Sequence, residues 1–169
     1  MMRSYNPNAI LELLGMVLRG LEGLDTHVAA VCSSAIDHLA TYVFEKSHLD
    51  PAKDPYAAKV KQLKDLNQNI YYKLLDSLFR IVLFTESGNE WSLSKPILSL
   101  MLADQASFER LKKYYLDTQA ISAEAQAQMA AAFAALTTEI RPNLEQGNRD
   151  RFSQHISQFR TTILPLLRR

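Results

Sequence analysis

Residues that cross-link a chain or break its helices are scarce in this sequence. Its 169 residues include one cysteine, five glycines and six prolines. The lone cysteine, Cys32, cannot form a disulfide within the chain, and a cysteine-based metal site is close to excluded. Its simplest role is that of a small buried hydrophobe. We therefore expect a fold held by a hydrophobic core, in a reducing intracellular compartment.

Neither positive nor negative charge is in clear excess. Nineteen Lys and Arg residues stand against eighteen Asp and Glu residues. Because no basic face is indicated, nucleic-acid binding has little electrostatic support. No stretch approaches the roughly 20 uncharged residues of a membrane span, and Glu12 and Arg19 interrupt the first apolar run, which argues against a signal peptide. We expect neither a nucleic-acid partner nor membrane insertion.

Hydrophobic residues are abundant and recur with the period of a helix. They make up 47% of the chain, enough for one helical-repeat domain over residues 1–169. Segments 8–21, 129–140 and 152–163 carry apolar residues at steps of three and four. Segment 70–84 is apolar on nearly every side, which predicts an inner helix covered on several sides. No segment of any length has the period of a strand.

A second helix is predicted from Asp25, a good N-cap, to about Lys46. Gly20 and Gly23 mark the break before it. Since the turn is short, the first two helices must be antiparallel neighbours. The residues predicted to face inward on the second helix are Val28, Val31, Ala35, Leu39 and Tyr42.

Later boundaries follow from similar signals. Two prolines between residues 49 and 55 predict a surface loop, followed by a polar helix over residues 56–65. Residues 86–90 predict another loop, after which a serine, Ser92 or Ser94, caps a helix with Pro96 in its first turn. Three further helix starts are predicted at Asp104, Ser122 and Asn148.

Helix pairs at intervals of roughly 40 residues match the unit length of HEAT and armadillo repeats. The pattern favours an all-α fold, a HEAT-like α-α superhelix (α-solenoid) segment of antiparallel helix pairs, over a closed bundle. Such stacks leave a long curved surface and no enclosed pocket. We therefore expect binding of macromolecules and no enzymatic activity.

Candidate catalytic groups do not cluster at a usable spacing. His27 and His38 are eleven residues apart, which is about 16 Å along a helix and too far to share a metal ion. Asp37 and His38 are adjacent, so their side chains point about 100° apart. The sequence predicts no catalytic, metal-binding or cofactor-binding residue, and no cofactor.

A charged triplet, Arg149, Asp150 and Arg151, follows the predicted start of the last helix. Asp150 suits the positive end of the helix dipole, and the arginines could form ion pairs within the stack. Alternatively, the triplet is a contact patch for an acidic partner. These three residues are therefore the candidate partner-binding residues.

Three stretches carry a resemblance to a known family. They are residues 32–44 (CSSAIDHLATYVF), 89–98 (NEWSLSKPIL) and 148–154 (NRDRFSQ), the last continuing to Phe159 and Arg160. In combination, order and spacing they resemble the C-terminal end of an exportin, in the importin-β (karyopherin) superfamily of nuclear transport receptors. The similarity covers most of the chain, but residues 49–69 follow no pattern of that family.

The resemblance implies a HEAT-repeat receptor that carries protein cargo through nuclear pores, between nucleus and cytoplasm, under control of the GTPase Ran. In that family Ran-GTP is held mainly by an N-terminal arch that has no counterpart in these residues. The implied partners are protein cargo, nuclear pore proteins and Ran, the last through a part of the receptor that this sequence does not include. The matching stretches assign no cargo or Ran contact.

Two other classes of function stay open. One is a stand-alone helical adaptor or oligomerisation module, whose exposed apolar end pairs with another subunit. The other is a metal-dependent helical enzyme, which needs clustered ligands that the spacing does not provide.

Overall fold

Eight α-helices make up most of the chain in a computed structural model that describes residues 7–23, 25–66, 69–84 and 90–168. The helices are α1 Pro7–Glu22, α2 Thr26–Ser47, α3 Pro55–Leu66, α4 Ile70–Phe84, α5 Glu90–Ala103, α6 Gln105–Tyr114, α7 Ala123–Thr137 and α8 Gln146–Ile163. A short π-helical segment, Tyr115–Gln119, follows α6, and a 3-10 turn, Leu164–Leu166, follows α8. No helix in the described ranges is long and apolar enough to cross a membrane.

The helices stack in two layers. In one layer α5 lies between α2 and α8 and contacts both. In the other layer α4 lies between α1 and α6 and contacts both. The pairs α1–α2, α4–α5 and α7–α8 pack helix against helix across the layers. This arrangement is the all-α solenoid segment predicted from the sequence.

Two additional helices lengthen the repeating unit. The three pairs begin at Pro7, Ile70 and Ala123, so the spacing between them exceeds the predicted interval of roughly 40 residues. α3 follows the first pair and packs against α2, while α6 follows the second pair and packs against α4. The predicted interval was wrong because an amphipathic pattern shows that a helix buries a face, but not which helix covers it.

α4 is buried on most sides, as its sequence predicted. Its buried apolar residues are Ile70, Tyr71, Leu74, Leu75, Leu78, Phe79, Val82 and Leu83. The ring of Phe79 contacts those of Phe108 and Phe159, with centroids 6.4 and 5.9 Å apart. Phe133 of α7 lies 4.9 Å from Phe159. Because each buried ring contributes roughly 1.5–3 kcal/mol, these contacts join the second and third helix pairs into one core.

The stripe predicted to face inward on α2 faces outward instead. Val28, Val31 and Tyr42 are 43%, 57% and 38% exposed; Ala35 is also exposed and Leu39 is half-buried. The buried face carries Ser33, Ile36, Ala40 and Val43. α2 is apolar on two faces, and helical periodicity alone does not decide which of them is covered.

Gly20 is not a break, because it lies inside α1. A Cβ atom added there would come within 2.5 Å of the Cys32 sulfur and 3.3 Å of Val28 Cγ1. A side chain at this position would therefore push α1 away from α2. Cys32 itself is half-buried and packs against the core.

Two other predicted boundaries also lie inside helices. Pro96 is within α5, which begins at Glu90, before the predicted serine cap. Asn148 is in the first turn of α8, where Glu145 is the cap residue. The buried Asn148 amide instead holds the preceding turn: it accepts from the Arg141 N–H at 2.9 Å and donates to the carbonyl oxygens of Arg141 and Asn143, both at 2.8 Å.

The predicted starts of α2, α6 and α7 are confirmed. The Asp25 carboxylate accepts two backbone N–H bonds at 2.9 and 3.1 Å, and the Ser122 hydroxyl accepts one at 3.1 Å. Asp104 precedes α6 but makes no cap bond. Its carboxylate accepts a hydrogen bond from the Ser107 hydroxyl at 2.8 Å and lies 3.6 Å from Lys64 Nζ.

Two surface loops were predicted, one before α3 and one before α5. Residues 50–53 form a turn before α3, and the Asp54 carboxylate caps that helix at 2.8 and 3.1 Å. Of the loop predicted at residues 86–90, residues 86–89 lie outside the described ranges, and Glu90 begins α5.

The C-terminal tail is fastened to the segment before α7. Ala120 and Leu167 form an isolated β-bridge. The Ile121 N–H donates to the Leu166 carbonyl at 3.0 Å, and Arg168 Nε donates to the Ala120 carbonyl at 2.7 Å. These bonds hold the end of the chain across the tip of the stack.

Candidate partner-binding surfaces

Arg149, the first residue of the charged triplet, connects α8 to α2. Its guanidinium Nη1 lies 3.3 Å from Asp37 Oδ2, and both side chains are largely covered, with 15% and 19% exposed. Arg149 Nε also donates to the Leu144 carbonyl at 2.9 Å. The hydroxyl of Ser99 on α5 donates to Asp37 Oδ1 at 2.6 Å. The Arg149 side chain therefore takes part in a network that joins α2, α5 and α8.

The other two residues of the triplet form hydrogen bonds close to the start of α8. Asp150 Oδ1 accepts from Gln146 Nε2 at 2.7 Å. Arg151 is exposed, and its Nη1 donates to the Glu139 carbonyl at 3.0 Å. Glu139 has a φ of 59°, so Arg151 supports a turn in a backbone conformation that is uncommon for a residue with a side chain. Partner binding by the triplet stays a prediction, and Arg151 is its most accessible member.

The described residues of the three stretches that carry the family resemblance fall on α2, α5 and α8, the three helices of one layer. The Asp37 carboxylate belongs to the first stretch and its partner Arg149 to the third. Ser94, in the second stretch, shares a buried hydrogen bond of 2.5 Å with Ser153 in the third. Several polar residues in these stretches therefore join neighbouring helices. Sequence spacing did not reveal these pairs, because 112 positions separate Asp37 from Arg149.

A groove of about 760 Å³ is lined mainly by residues of α2 and α5, together with Leu21 of α1 and Ile81 of α4. His27 and His38 both line it, with Ser34 and Lys95. Asp37 lines the same groove but is held by Arg149 and Ser99. The groove can therefore offer imidazole, hydroxyl and ammonium groups to a polar partner.

The α1–α2 pair also exposes apolar side chains. Leu13 and Met16 on α1 are 58% and 60% exposed, and Val28 and Val31 on α2 are 43% and 57% exposed. We call these four residues the N-terminal apolar face. The sequence signal for it was present in the stripe of α2, but that stripe was assigned to the core.

A tyrosine and lysine cluster lies between α2 and α3. Lys46 Nζ is 6.0 Å from the ring centre of Tyr42 and 5.5 Å from that of Tyr56. The same ammonium group is 3.8 Å from the Asp54 carboxylate. These contacts fix α3 on α2, in the part of the sequence where the family resemblance is weakest.

Three pKa values are shifted by local structure. Burial raises the pKa of the Tyr115 hydroxyl far above its usual range, and the Asp76 carboxylate acts in the same direction. Burial, together with Asp76, also raises the pKa of Tyr72. The backbone N–H of Ala57 lowers the pKa of Asp54, consistent with its capping role.

Metal ligands do not converge in the part of the chain that the structure describes. No group of three or more His, Cys, Asp or Glu side chains is placed there to hold an ion. His155, one of the four histidines, has its Nδ1 within 3.1 Å of the Leu136 carbonyl.

Known proteins resemble this chain over nearly all of its length. Exportin-7-B of Xenopus laevis is 32% identical over 165 residues, which is 95% of this chain and 15% of that protein. Ran-binding protein 17 of Homo sapiens is 28% identical over 172 residues, 98% of this chain and 16% of that protein. Exportin-7 of Dictyostelium discoideum is 23% identical over 155 residues, 92% of this chain and 15% of that protein.

The chain thus spans about 15% of the length of these relatives. No protein-family model and no solved structure matches it. The similarities confirm the resemblance drawn from the three sequence stretches.

Proposed function

The chain is homologous to the C-terminal region of exportin-7, and on that premise we propose that it is a protein-binding segment of the nuclear transport machinery. The observation that carries the proposal is the 32% identity to Exportin-7-B across 95% of this chain. Identity spread over so much of the chain favours a shared structural role over a chance match of one motif.

The proposed partners are protein cargo, Ran in its GTP form and nuclear pore proteins. The relatives are named as exportins and Ran-binding proteins, which supports the first two classes. Since about 85% of each relative lies outside the match, we assign the main contact with Ran to that remainder. The segment itself would contribute to cargo binding and would move between nucleus and cytoplasm.

Binding without catalysis is part of the same proposal. The α2–α5 groove is open, and its carboxylate, Asp37, is held by Arg149. A general base must be able to reach a substrate proton, and a carboxylate engaged in this way is poorly placed to do so. The curved surface of stacked helix pairs is suited to protein partners.

A capture experiment tests the proposal. The immobilised chain and full-length Exportin-7-B would each be incubated with nuclear extract and with Ran locked in its GTP or GDP form. We expect the chain to retain a subset of the proteins that the relative retains, and to bind Ran-GTP weakly or not at all. No shared protein at any salt concentration would contradict the proposal.

Charge reversal at Arg151 sharpens the same experiment. Arg151→Glu should reduce capture if the charged triplet contacts an acidic partner. Lys73→Glu is the matched control, because Lys73 is exposed on α4, away from the triplet. Equal capture by both variants would show that Arg151 does not contact the partner. The transport proposal would then depend on the groove between α2 and α5.

The alternative function, a stand-alone adaptor or oligomerisation module, is supported by the N-terminal apolar face. Monomeric proteins seldom expose large contiguous apolar patches unless these bind something. Light scattering after size-exclusion chromatography separates the two cases. A tight homodimer would favour the adaptor, while a monomer with affinity for transport proteins would favour the receptor segment.

A further inference from the structure

We propose that the groove between α2 and α5 binds an extended acidic segment of a protein partner, about five residues long. The inference rests on the proposed function, because it takes the groove as a protein-binding surface of that segment. It adds the chemistry of the bound segment and the residues that contact it.

A buried serine in the groove has a hydrogen-bonding group that the protein itself does not use. Ser33 on α2 is 4% exposed and lines the groove. Its hydroxyl has no hydrogen-bond partner among the residues that the structure describes. By contrast, the buried serines Ser99 and Ser107 donate to carboxylates at 2.6 and 2.8 Å. Since buried polar groups are nearly always hydrogen-bonded, the Ser33 hydroxyl indicates a ligand that enters the groove.

Other polar side chains around the groove are also available to a ligand. They are His27, Ser34, His38, Ser92 and Lys95, which all line it and are exposed. In the described ranges these side chains form no hydrogen bond or ion pair with the protein. Hydroxyl, imidazole and ammonium groups all donate hydrogen bonds, and the ammonium group does nothing else. The set therefore suits a ligand that is rich in acceptors, such as carboxylate oxygens.

The charge of the groove also favours an acidic ligand. Asp37 is the one acidic residue among the described lining residues, and Arg149 lies 3.3 Å from its carboxylate. Its negative charge is thus balanced, whereas the positive charge of Lys95 is not. Ser92 lies in the first turn of α5, so the positive end of that helix dipole also borders the groove. Two sources of positive potential therefore act on a ligand there.

The length of the groove fits a short extended peptide. His27 and His38 both line it and are about 16 Å apart along the axis of α2. An extended chain advances about 3.3 Å per residue, so about five residues span that distance. The buried Leu21 and Leu93, which also line the groove, can contact the aliphatic parts of such a peptide. A single carboxylate or phosphate ion would reach only a few of these groups.

A peptide fits the groove better than a nucleic-acid strand does. The chain has a net charge of +1, and Lys95 is the one lysine among the described lining residues. Surfaces that follow a phosphate backbone carry clustered Lys and Arg residues. A lining of mixed hydroxyl, imidazole and apolar groups is typical of a site for a protein segment.

Fluorescence anisotropy with a defined peptide tests the inference. The probe is a fluorescein-labelled peptide of five glutamates with blocked ends, titrated with the full chain. We expect saturable binding. Peptides of five glutamines or five lysines should bind at least about tenfold more weakly, because they lack the carboxylates that the groove would contact.

Charge reversal at Lys95 provides the matched comparison. Lys95→Glu should weaken binding of the glutamate peptide by about tenfold or more, because a repelling charge replaces an attracting one. Lys73→Glu makes the same change of net charge at an exposed position of α4 that does not line the groove. It should leave binding unchanged. Equal weakening by the two variants would show a response to net charge alone and would overturn the inference.

The Ser33 hydroxyl gives a second readout. Ser33→Ala should weaken peptide binding by about tenfold, since a hydrogen bond to a charged group is lost. The same change should not lower the free energy of unfolding, because the hydroxyl has no partner in the free protein. Ser107→Ala should do the opposite, since it breaks the bond to Asp104 away from the groove. A loss of stability in Ser33→Ala with unchanged peptide binding would contradict the inference.

Two further results would also overturn the inference. One is the absence of saturable binding at concentrations up to about 1 mM. The other is tighter binding of a single strand of five nucleotides that Lys95→Glu abolishes, which would assign the groove to a phosphate polymer. The transport proposal is judged separately, by capture from nuclear extract. Capture of the shared proteins without any peptide binding would sink this inference alone, and peptide binding without such capture would sink the transport proposal alone.

Discussion

The two ends of the helical stack differ in what they expose to solvent. At the α1–α2 end Leu13, Met16 and Val31 are each more than half exposed. At the α7–α8 end the large hydrophobic residues Phe133 and Phe159 are 1% and 3% exposed, and the tail is fastened across the tip. Solenoids need terminal repeats with a polar outer face. The α7–α8 helices thus expose no large hydrophobic side chain among their described residues, whereas α1 and α2 expose several.

Removing an aromatic ring at the capped end should have the largest effect. Phe133 contacts the rings of Phe108, Tyr115 and Phe159. Phe133→Ala should lower the free energy of unfolding by about 3–5 kcal/mol, because a cavity replaces the ring. Met16→Ala at the other end should change it by less than about 0.5 kcal/mol. Urea denaturation measures both, and similar values would abolish the distinction between the ends.

The second-largest effect on stability is expected from breaking the ion pair between Arg149 of α8 and Asp37 of α2. Arg149→Met leaves the Asp37 carboxylate, 19% exposed, without its ionic partner. We expect a loss of roughly 1–3 kcal/mol, as for other hydrogen bonds broken on one side. The double variant Arg149→Met with Asp37→Asn should recover part of the loss, since no charge is then left buried. A double-mutant cycle without coupling would show that the pair does not join the layer.

Gly20→Ala tests how closely α1 and α2 pack against each other. The new Cβ meets the Cys32 sulfur at 2.5 Å, which should destabilise the chain by about 1–2 kcal/mol through overpacking. In a Cys32→Ala background the same change should cost less, because the contact with the sulfur is gone, Val28 Cγ1 remains at 3.3 Å and Ala favours helix over Gly. Thermal unfolding of the four proteins measures the cost in each background, and equal costs would contradict the close approach of the Cys32 sulfur.

A smaller effect is expected at alkaline pH. Burial raises the pKa of Tyr115, so the folded state holds the phenol neutral after an unfolded chain would ionise. That contribution is complete below about pH 10 and declines as pH rises above it, by at most about 1.4 kcal/mol per pH unit. Tyr115→Phe should flatten the decline in unfolding free energy, while Tyr56→Phe, at a 52% exposed position, should not. Identical pH slopes for both variants would show that Tyr115 is not buried in solution.

Local features of the fold could be predicted from the sequence. Apolar residues on all sides of segment 70–84 identified the central helix, and Asp25 and Ser122 identified helix starts by short-range hydrogen bonding. Each of these signals is contained within a few neighbouring residues. Local chemistry therefore predicted where most helices are.

The arrangement of the helices could not be predicted in the same way. Which face of α2 is buried depends on its packing against α5. The role of Arg149 depends on Asp37, which is distant in the sequence. Glycine often marks a helix break, so the sequence predicted one at Gly20. The position instead lacks a side chain because Cys32 on the next helix leaves no room for one. Pairings between helices, and with them the candidate surfaces, are not visible in the period of one segment.

Covalent footprinting of the side chains of α2 tests the central claim most directly. The free chain would be labelled with a photogenerated carbene and the labelled residues located by mass spectrometry. We expect heavy labelling at Val28 and Val31, which are 43% and 57% exposed, and little at Ile36 and Val43, which are buried. Heavy labelling at Ile36 and Val43, with Val28 and Val31 protected in the free chain, would show that α2 buries the opposite face and would contradict the account.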